Sequence, residues 1–229
     1  IAYLTRGTPA EDFEFISYRE YLGVSSALLL FVALVAPDIV CPDRRQRVLA
    51  LIFARPLTGR DYALAKVGAI FTCVFAFAFL PQVVLYVGQM LVSDGALNYL
   101  AENTAVLLQV PVAAALLALF YALLGVSVAS LTGRRVVAGA SILGITLISS
   151  SVSAILVGAD TGPRDGHPAA LFNLLALPLR VRDLVFLGRM HEESPLSGLA
   201  GGGALAVLAY AAVVLACIGI LLARYRTAE

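Results

Sequence analysis

Long apolar runs separated by short charged ones dominate the chain. Crossing the hydrocarbon core of a bilayer takes about 20 mostly apolar residues in a helix. Five stretches meet that length: about Leu22 to Val40, Val67 to Val92, Ala105 to Ser130, Val136 to Gly158, and Gly203 to Ala223. Periodicity adds little, because a helix facing lipid can be apolar all round. Length and the scarcity of charge make the assignment, and the expected fold is an all-α polytopic membrane protein with five spans.

A sixth apolar stretch, Pro168 to Gly188, differs. Its second half carries Pro178, Arg180, Arg182 and Asp183, and a charge at the centre of a span costs about 2.5 kcal/mol or more. The expectation is a helix, broken at Pro178, that lies in the interface or dips into the membrane and returns. The segment 159–202 then forms one outer loop, with turns marked by Gly162, Pro163, Gly166 and Pro168.

Charge fixes the orientation. With five crossings, the 41–66 loop, the Arg134–Arg135 turn and the C-terminal tail share one side. That side holds ten basic residues (Arg44, Arg45, Arg47, Arg55, Arg60, Lys66, Arg134, Arg135, Arg224, Arg226) against four acidic ones, while the other holds six against eleven. By the positive-inside rule the Arg-rich side is cytoplasmic, the C-terminus with it, and residues 1–20 lie outside. A bacterial multi-span protein that starts in the cytoplasm would need one more span upstream of Ile1, so six spans are expected in all.

Composition agrees with a membrane setting. Sixty per cent of residues are hydrophobic and 14% charged, and the mean hydropathy is +0.91. A net charge of +1 argues against a nucleic-acid partner, which demands a concentrated basic face. Cys41, Cys73 and Cys217 sit in or beside apolar stretches without metal-type spacing. No Gly-x-x-x-x-Gly-Lys-Ser/Thr sequence occurs, so the chain has no P-loop. No metal site, bound cofactor or catalytic residue is expected. Five polar residues within spans, Gln82, Gln89, Gln109, Ser149 and Ser153, are expected first to pack helices, with lining a path as the alternative.

The 41–66 loop is the most patterned polar segment. Asp43 to Arg55 suits a short amphipathic helix, with Asp43 at its start and Val48, Leu51 and Ile52 on one face. Pro56 ends it, and Thr58-x-x-Asp61 has the grammar of a helix cap. Such a loop either docks a cytoplasmic partner or rests on anionic headgroups.

Ala36-Pro37-Asp38, the Arg-rich turn with Leu49, then Arg55-Pro56-Leu57-Thr58-Gly59-Arg60, Tyr62 and Lys66 carry a further likeness. This pattern resembles the permease subunits of the bacterial ABC export family for drugs, polysaccharides and lipids, which have the type V exporter fold. Ala65 departs from the Gly usual before that Lys. The resemblance implies six spans and re-entrant helices within 159–202. It makes residues 43–55 a coupling helix, with Asp43, Arg44, Arg45, Arg47, Leu51, Arg55, Pro56 and Arg60 as its contact residues. It also implies two ABC ATPase subunits as partners, which would bind ATP and Mg, and a second permease chain, identical or sister, in a bacterial cytoplasmic membrane. The alternatives are a secondary carrier or channel, a lipid-modifying membrane enzyme using His167, Asp183 and His191, and a membrane anchor or sensor.

Overall fold

The computed structural model describes residues 25–45, 58–92, 104–159, 166–191 and 194–226. They form six α-helices and one 3-10 helix: α1 (Ser25–Arg45), α2 (Gly59–Val92), α3 (Thr104–Leu131), α4 (Arg135–Ala159), a 3-10 turn (Pro168–Phe172), α5 (Leu177–Leu187) and α6 (Gly202–Arg226). No strand occurs among the described residues. Five helices, all but α5, are long and apolar enough to cross a membrane. At 11 residues α5 is about 16 Å long, roughly half the hydrocarbon thickness, and cannot cross alone.

The five long helices lie on the five apolar stretches, but several run further. α1 continues through Asp43 to Arg45, and α2 starts at Gly59, well ahead of Val67. Apolar length marks only the part of a helix in hydrocarbon, whereas backbone hydrogen bonding carries on into the polar interface. Asp43, expected to open a new helix, therefore sits in the last turn of α1.

α3 is the axis of the bundle, packing against α1, α2, α4, α5 and α6. In its apolar window 72% of residues are buried, against 17% for α4. Ala113, Ala114, Ala118 and Ala122 are fully buried, and such small side chains let neighbouring backbones approach. Two glycines do the same for α1. A Cβ on Gly125 would stand 2.5 Å from Val32 Cγ1, and one on Gly139 would stand 2.8 Å from the Ala33 carbonyl oxygen. Aromatic contacts join other pairs: Phe31 of α1 stacks on Phe77 of α2 at 4.6 Å, and Phe120 of α3 meets Tyr210 of α6 at 5.4 Å. Tyr210 Oη also donates to the Leu116 carbonyl at 2.8 Å, satisfying a hydroxyl that would be costly if left alone in an apolar setting. The outward faces of α2, α4 and α6 expose Leu80, Val84, Leu91, Ile148, Ile155, Leu208 and Leu215, a surface suited to lipid.

Between α4 and α6 the chain forms a hairpin. Its descending arm is the 3-10 turn, where Ser153 Oγ donates to the Ala169 carbonyl at 3.1 Å. Its tip is held by Ser149, which accepts from the Leu174 amide at 3.3 Å, and by Tyr121, whose hydroxyl donates to the Leu175 carbonyl at 3.3 Å. Its ascending arm, α5, returns to lie beside the start of α6, where Leu184 covers Gly203. Ser149 lies 14 residues along α4 from Arg135, about 21 Å at the helical rise. Tyr121 lies 10 residues from the end of α3, about 15 Å. The hairpin tip thus reaches the middle of the bundle. Pro178 does not break α5 but occupies its first turn, where a missing N–H costs nothing; the chain turns at 173–176 instead. Asn173 makes that turn, its Oδ1 accepting from the amides of Leu175 and Ala176 at 3.1 and 3.0 Å.

Candidate functional site

One end of the bundle collects charge. Thr58 and Asp61 cap α2 as their spacing predicts: Thr58 N–H and Oγ1 donate to Asp61 Oδ2 at 3.1 and 2.8 Å, and Asp61 N–H donates back to Thr58 Oγ1 at 3.4 Å. The helix so started aims Tyr62 and Lys66 at the end of α1. Lys66 Nζ pairs with Asp43 Oδ2 at 2.6 Å and donates to the Ile39 carbonyl at 2.9 Å. Tyr62 Oη donates to the same Asp43 oxygen at 2.7 Å, and its ring lies under Lys66 Nζ at 5.4 Å. Both charged side chains are about three-quarters buried, so water competes less for the pair than at an open surface.

Other helices join at this level. The Tyr62 ring contacts that of Tyr225, near the end of α6, at 5.2 Å. Gly59 sits against the Tyr225 backbone, where a Cβ would stand 2.6 Å from its carbonyl oxygen. Arg135, first in α4, pairs with Asp38 at 3.0 Å across an exposed surface. Cys41 Sγ lies 3.6 Å from the Thr132 carbonyl oxygen, just past α3. The end of α1, the start of α2, the end of α3, the start of α4 and the end of α6 therefore meet at one end, together with Arg44, Arg45, Arg60, Arg134 and Arg224. The shared side inferred from counting arginines has a physical counterpart in these contacts.

Of the residues expected to contact a coupling partner, Asp43 is engaged by Lys66 and Tyr62, Arg44 and Arg45 close α1, and Arg60 is exposed in the first turn of α2. Arg47, Leu51, Arg55 and Pro56 lie outside the described residues. Lys66 and Tyr62 emerge as the central members of the cluster. Lys66 is the only lysine in the chain, a signal present in the sequence, though nothing there names Asp43 as its partner.

Within the bundle, Gln82 follows Pro81 and is buried, at 1% exposure, while Gln89 and Gln109 are half-buried. Ser149 and Ser153 are bonded to the hairpin. The hairpin carries three buried charged residues, Arg180, Arg182 and Asp183. Arg182 Nη2 pairs with Asp183 at 2.6 Å, and Arg180 Nη1 donates to the Ala170 carbonyl, tying the two arms together. His167 accepts from the Ala169 amide at 3.2 Å and so caps the 3-10 turn. Among the described residues no group of three or more His, Cys, Asp or Glu could hold a metal ion. A cavity of about 530 Å³ opens at the other end between α5 and α6, lined by Arg189, Met190, Leu196, Gly202 and Val207 among others.

Among the described residues the fold is all-helical, with five helices long and apolar enough to cross a membrane, a charged cluster at one end and, at the other, a hairpin carrying buried charged residues. No protein-family model, curated protein or solved structure matches the chain.

Proposed function

We propose that this chain is the membrane-spanning permease subunit of an ATP-driven exporter in a bacterial cytoplasmic membrane, powered by separate ATPase subunits. The observation that carries the reading is the gathering of both ends of the 43–66 segment into one cluster by Asp43, Lys66 and Tyr62. A loop that only fixed topology would need no such tie. A loop that receives a mechanical stroke needs its roots fastened to the spans it moves. The resemblance of residues 36–66 to ABC export permeases gives the stroke its source: ATP and Mg bound by the partner ATPases, whose closure pushes the segment and switches access by rigid-body helix movement.

Under this reading the charged end is cytoplasmic, the hairpin at 166–191 is re-entrant from the outer side, and a second permease chain completes the path. A path built from the polar span residues would suit an amphipathic or lipid-like substrate better than a small ion.

The test is purification of the intact complex in mild detergent with mass spectrometry of what accompanies it. A stoichiometric soluble subunit with a P-loop is expected, released by Arg44→Glu with Arg47→Glu. A chain that purifies alone and shows no nucleotide response after reconstitution would refute the exporter reading.

One observation favours a second reading, a secondary carrier. Asp183 is a buried carboxylate beside Arg182, within a segment that reaches into the bundle, and such residues serve proton-coupled transport. That reading predicts transport driven by a proton gradient without ATP and abolished by Asp183→Asn.

A further inference from the structure

We infer that the cavity between the end of α5 and the start of α6 binds a membrane phospholipid of net negative charge, with its phosphate at Arg189 and its acyl chains along α6. Nothing in this assignment depends on the exporter reading; it requires only that α6 cross the membrane.

The cavity exists because the sequence supplies little side chain where two helix ends meet. Gly188 closes α5 in the left-handed conformation, at φ 64°, and Gly201 precedes α6 at φ 78°. A Cβ on either would meet nothing within 4 Å, so both border open space. The space measures about 530 Å³, within the range of about 300–1,000 Å³ that holds small ligands.

Its lining is divided by chemistry. Arg189 and Ser197 bring polar side chains, while Leu184, Met190, Leu196 and Val207 are apolar. Among the described residues, none that lines the cavity is acidic. Asp183, the nearest of the described acidic residues in sequence, is paired with Arg182. A guanidinium offers a phosphate two parallel donors. Gly203 and Ala204 also line the cavity, ahead of Leu205, whose N–H bonds to the Gly201 carbonyl at 3.0 Å. The positive end of α6 therefore adds to the charge of Arg189.

A free anion would use only the polar part of this lining. The surface that continues from it along α6 points to a lipid. Leu208 and Leu215 follow Ala204 on one helical face, one and three turns further on. Both are exposed, at 65% and 67%, and extend the apolar wall toward the middle of the bundle. The apolar length of α6 begins at Gly202. The cavity thus stands where the headgroup layer of a bilayer meets its hydrocarbon, with a cation at that level and an apolar track leading inward.

The chain has no tryptophan, so Leu208→Trp places a single fluorescent reporter on the track. The full chain carrying it is reconstituted in phosphatidylcholine vesicles, and quenching by brominated phosphatidylglycerol is compared with quenching by brominated phosphatidylcholine. A preference of about fivefold for phosphatidylglycerol is expected, the worth of one arginine beside an anionic lipid. Arg189→Gln should reduce the preference to parity. Ala204→Phe, which fills the cavity and leaves every charge in place, should do the same. Both residues are exposed, and should Arg189→Gln fail to reconstitute, Ala204→Phe carries the same expectation. A reporter at Ile148→Trp on α4, outside the cavity lining, should show parity in an otherwise unchanged chain. Equal quenching by the two lipids at Leu208→Trp overturns the inference, as does a preference that survives Arg189→Gln or Ala204→Phe. The same preference at Ile148→Trp also overturns it, because the attraction would then be general to the protein surface. Loss of the preference on adding inorganic phosphate overturns it too, and would assign the cavity to a free anion.

Discussion

At Gly139 a single hydrogen in place of a methyl decides how closely two helices approach. The site already stands against the Ala33 carbonyl, and Gly144, five residues further along the same helix, meets nothing within 4 Å of where its Cβ would be. Gly139→Val should therefore drive α1 and α4 apart, at a cost of about 1–3 kcal/mol typical of overpacking. Gly144→Val should be close to neutral or slightly stabilising, since a β-branched residue adds apolar surface facing lipid. Thermal unfolding of the two variants in one detergent checks the contrast, and equal melting temperatures would contradict the packing described. Nothing in the sequence separates these glycines, because both lie in a run of small and apolar residues. Lys66 is a similar case: its singularity is visible, but its pairing with Asp43 spans two helices, and local spacing rules cover only residues three or four apart. Asp43 was misleading for the same reason. An acidic residue before an amphipathic stretch reads as a helix start, whereas here it is held at a helix end by a distant cation.

The hairpin is the element whose placement was least legible. Its charges excluded an ordinary span, and its 11-residue helix is indeed too short to cross. Its depth is set by three side chains on other helices, Ser149, Ser153 and Tyr121, each bonded to hairpin backbone. The serines looked from sequence like packing or path residues, and no pattern distinguishes a serine that binds a distant backbone from one that bonds its own helix, as Ser141 does to Val137. Irregular backbone at membrane depth persists only where protein or a polar cavity satisfies it, so under the re-entrant reading these bonds would matter beyond their individual strength. Ser149→Ala should lower stability by about 0.6 kcal/mol, and at most about 1.7, the range for interhelical hydrogen bonds in membranes. The Leu174 amide, which loses its acceptor, should show faster hydrogen exchange while amides in the middle of α3 do not. Ser141→Ala, which leaves the hairpin untouched, should change neither. Exchange at Leu174 that is unaffected by Ser149→Ala would mean the tip is held by other means.

For the whole molecule, the question is which helix ends share a side, and here sequence and structure speak through different physics. The sequence argument counts arginines over loops and applies the bias that membrane insertion imposes. The structure gathers the same termini through the Lys66–Asp43 pair, the Tyr62–Tyr225 contact, the Arg135–Asp38 pair and the Cys41 contact, none of which refers to a membrane. The spans themselves were legible because an apolar run of sufficient length has few other uses in a chain this hydrophobic. That α3 is their centre was not, since it is apolar all round like the helices that face lipid, and only packing tells them apart. Under the proposed orientation, Arg134 and Arg224 would lie on the cytoplasmic side and Arg189 and His191 on the other. Single cysteines at these four positions, in a background with Cys73 replaced, should label with a membrane-impermeant maleimide in two groups. Intact right-side-out vesicles should label positions 189 and 191 alone, and positions 134 and 224 should react only after permeabilisation. If 134 and 224 instead fell on opposite sides, an odd number of crossings would separate them and the hairpin would have to cross the bilayer in full. The bonds of Leu174 to Ser149 and of Leu175 to Tyr121 could not then hold in the membrane-embedded protein, because they turn the chain back midway along the bundle.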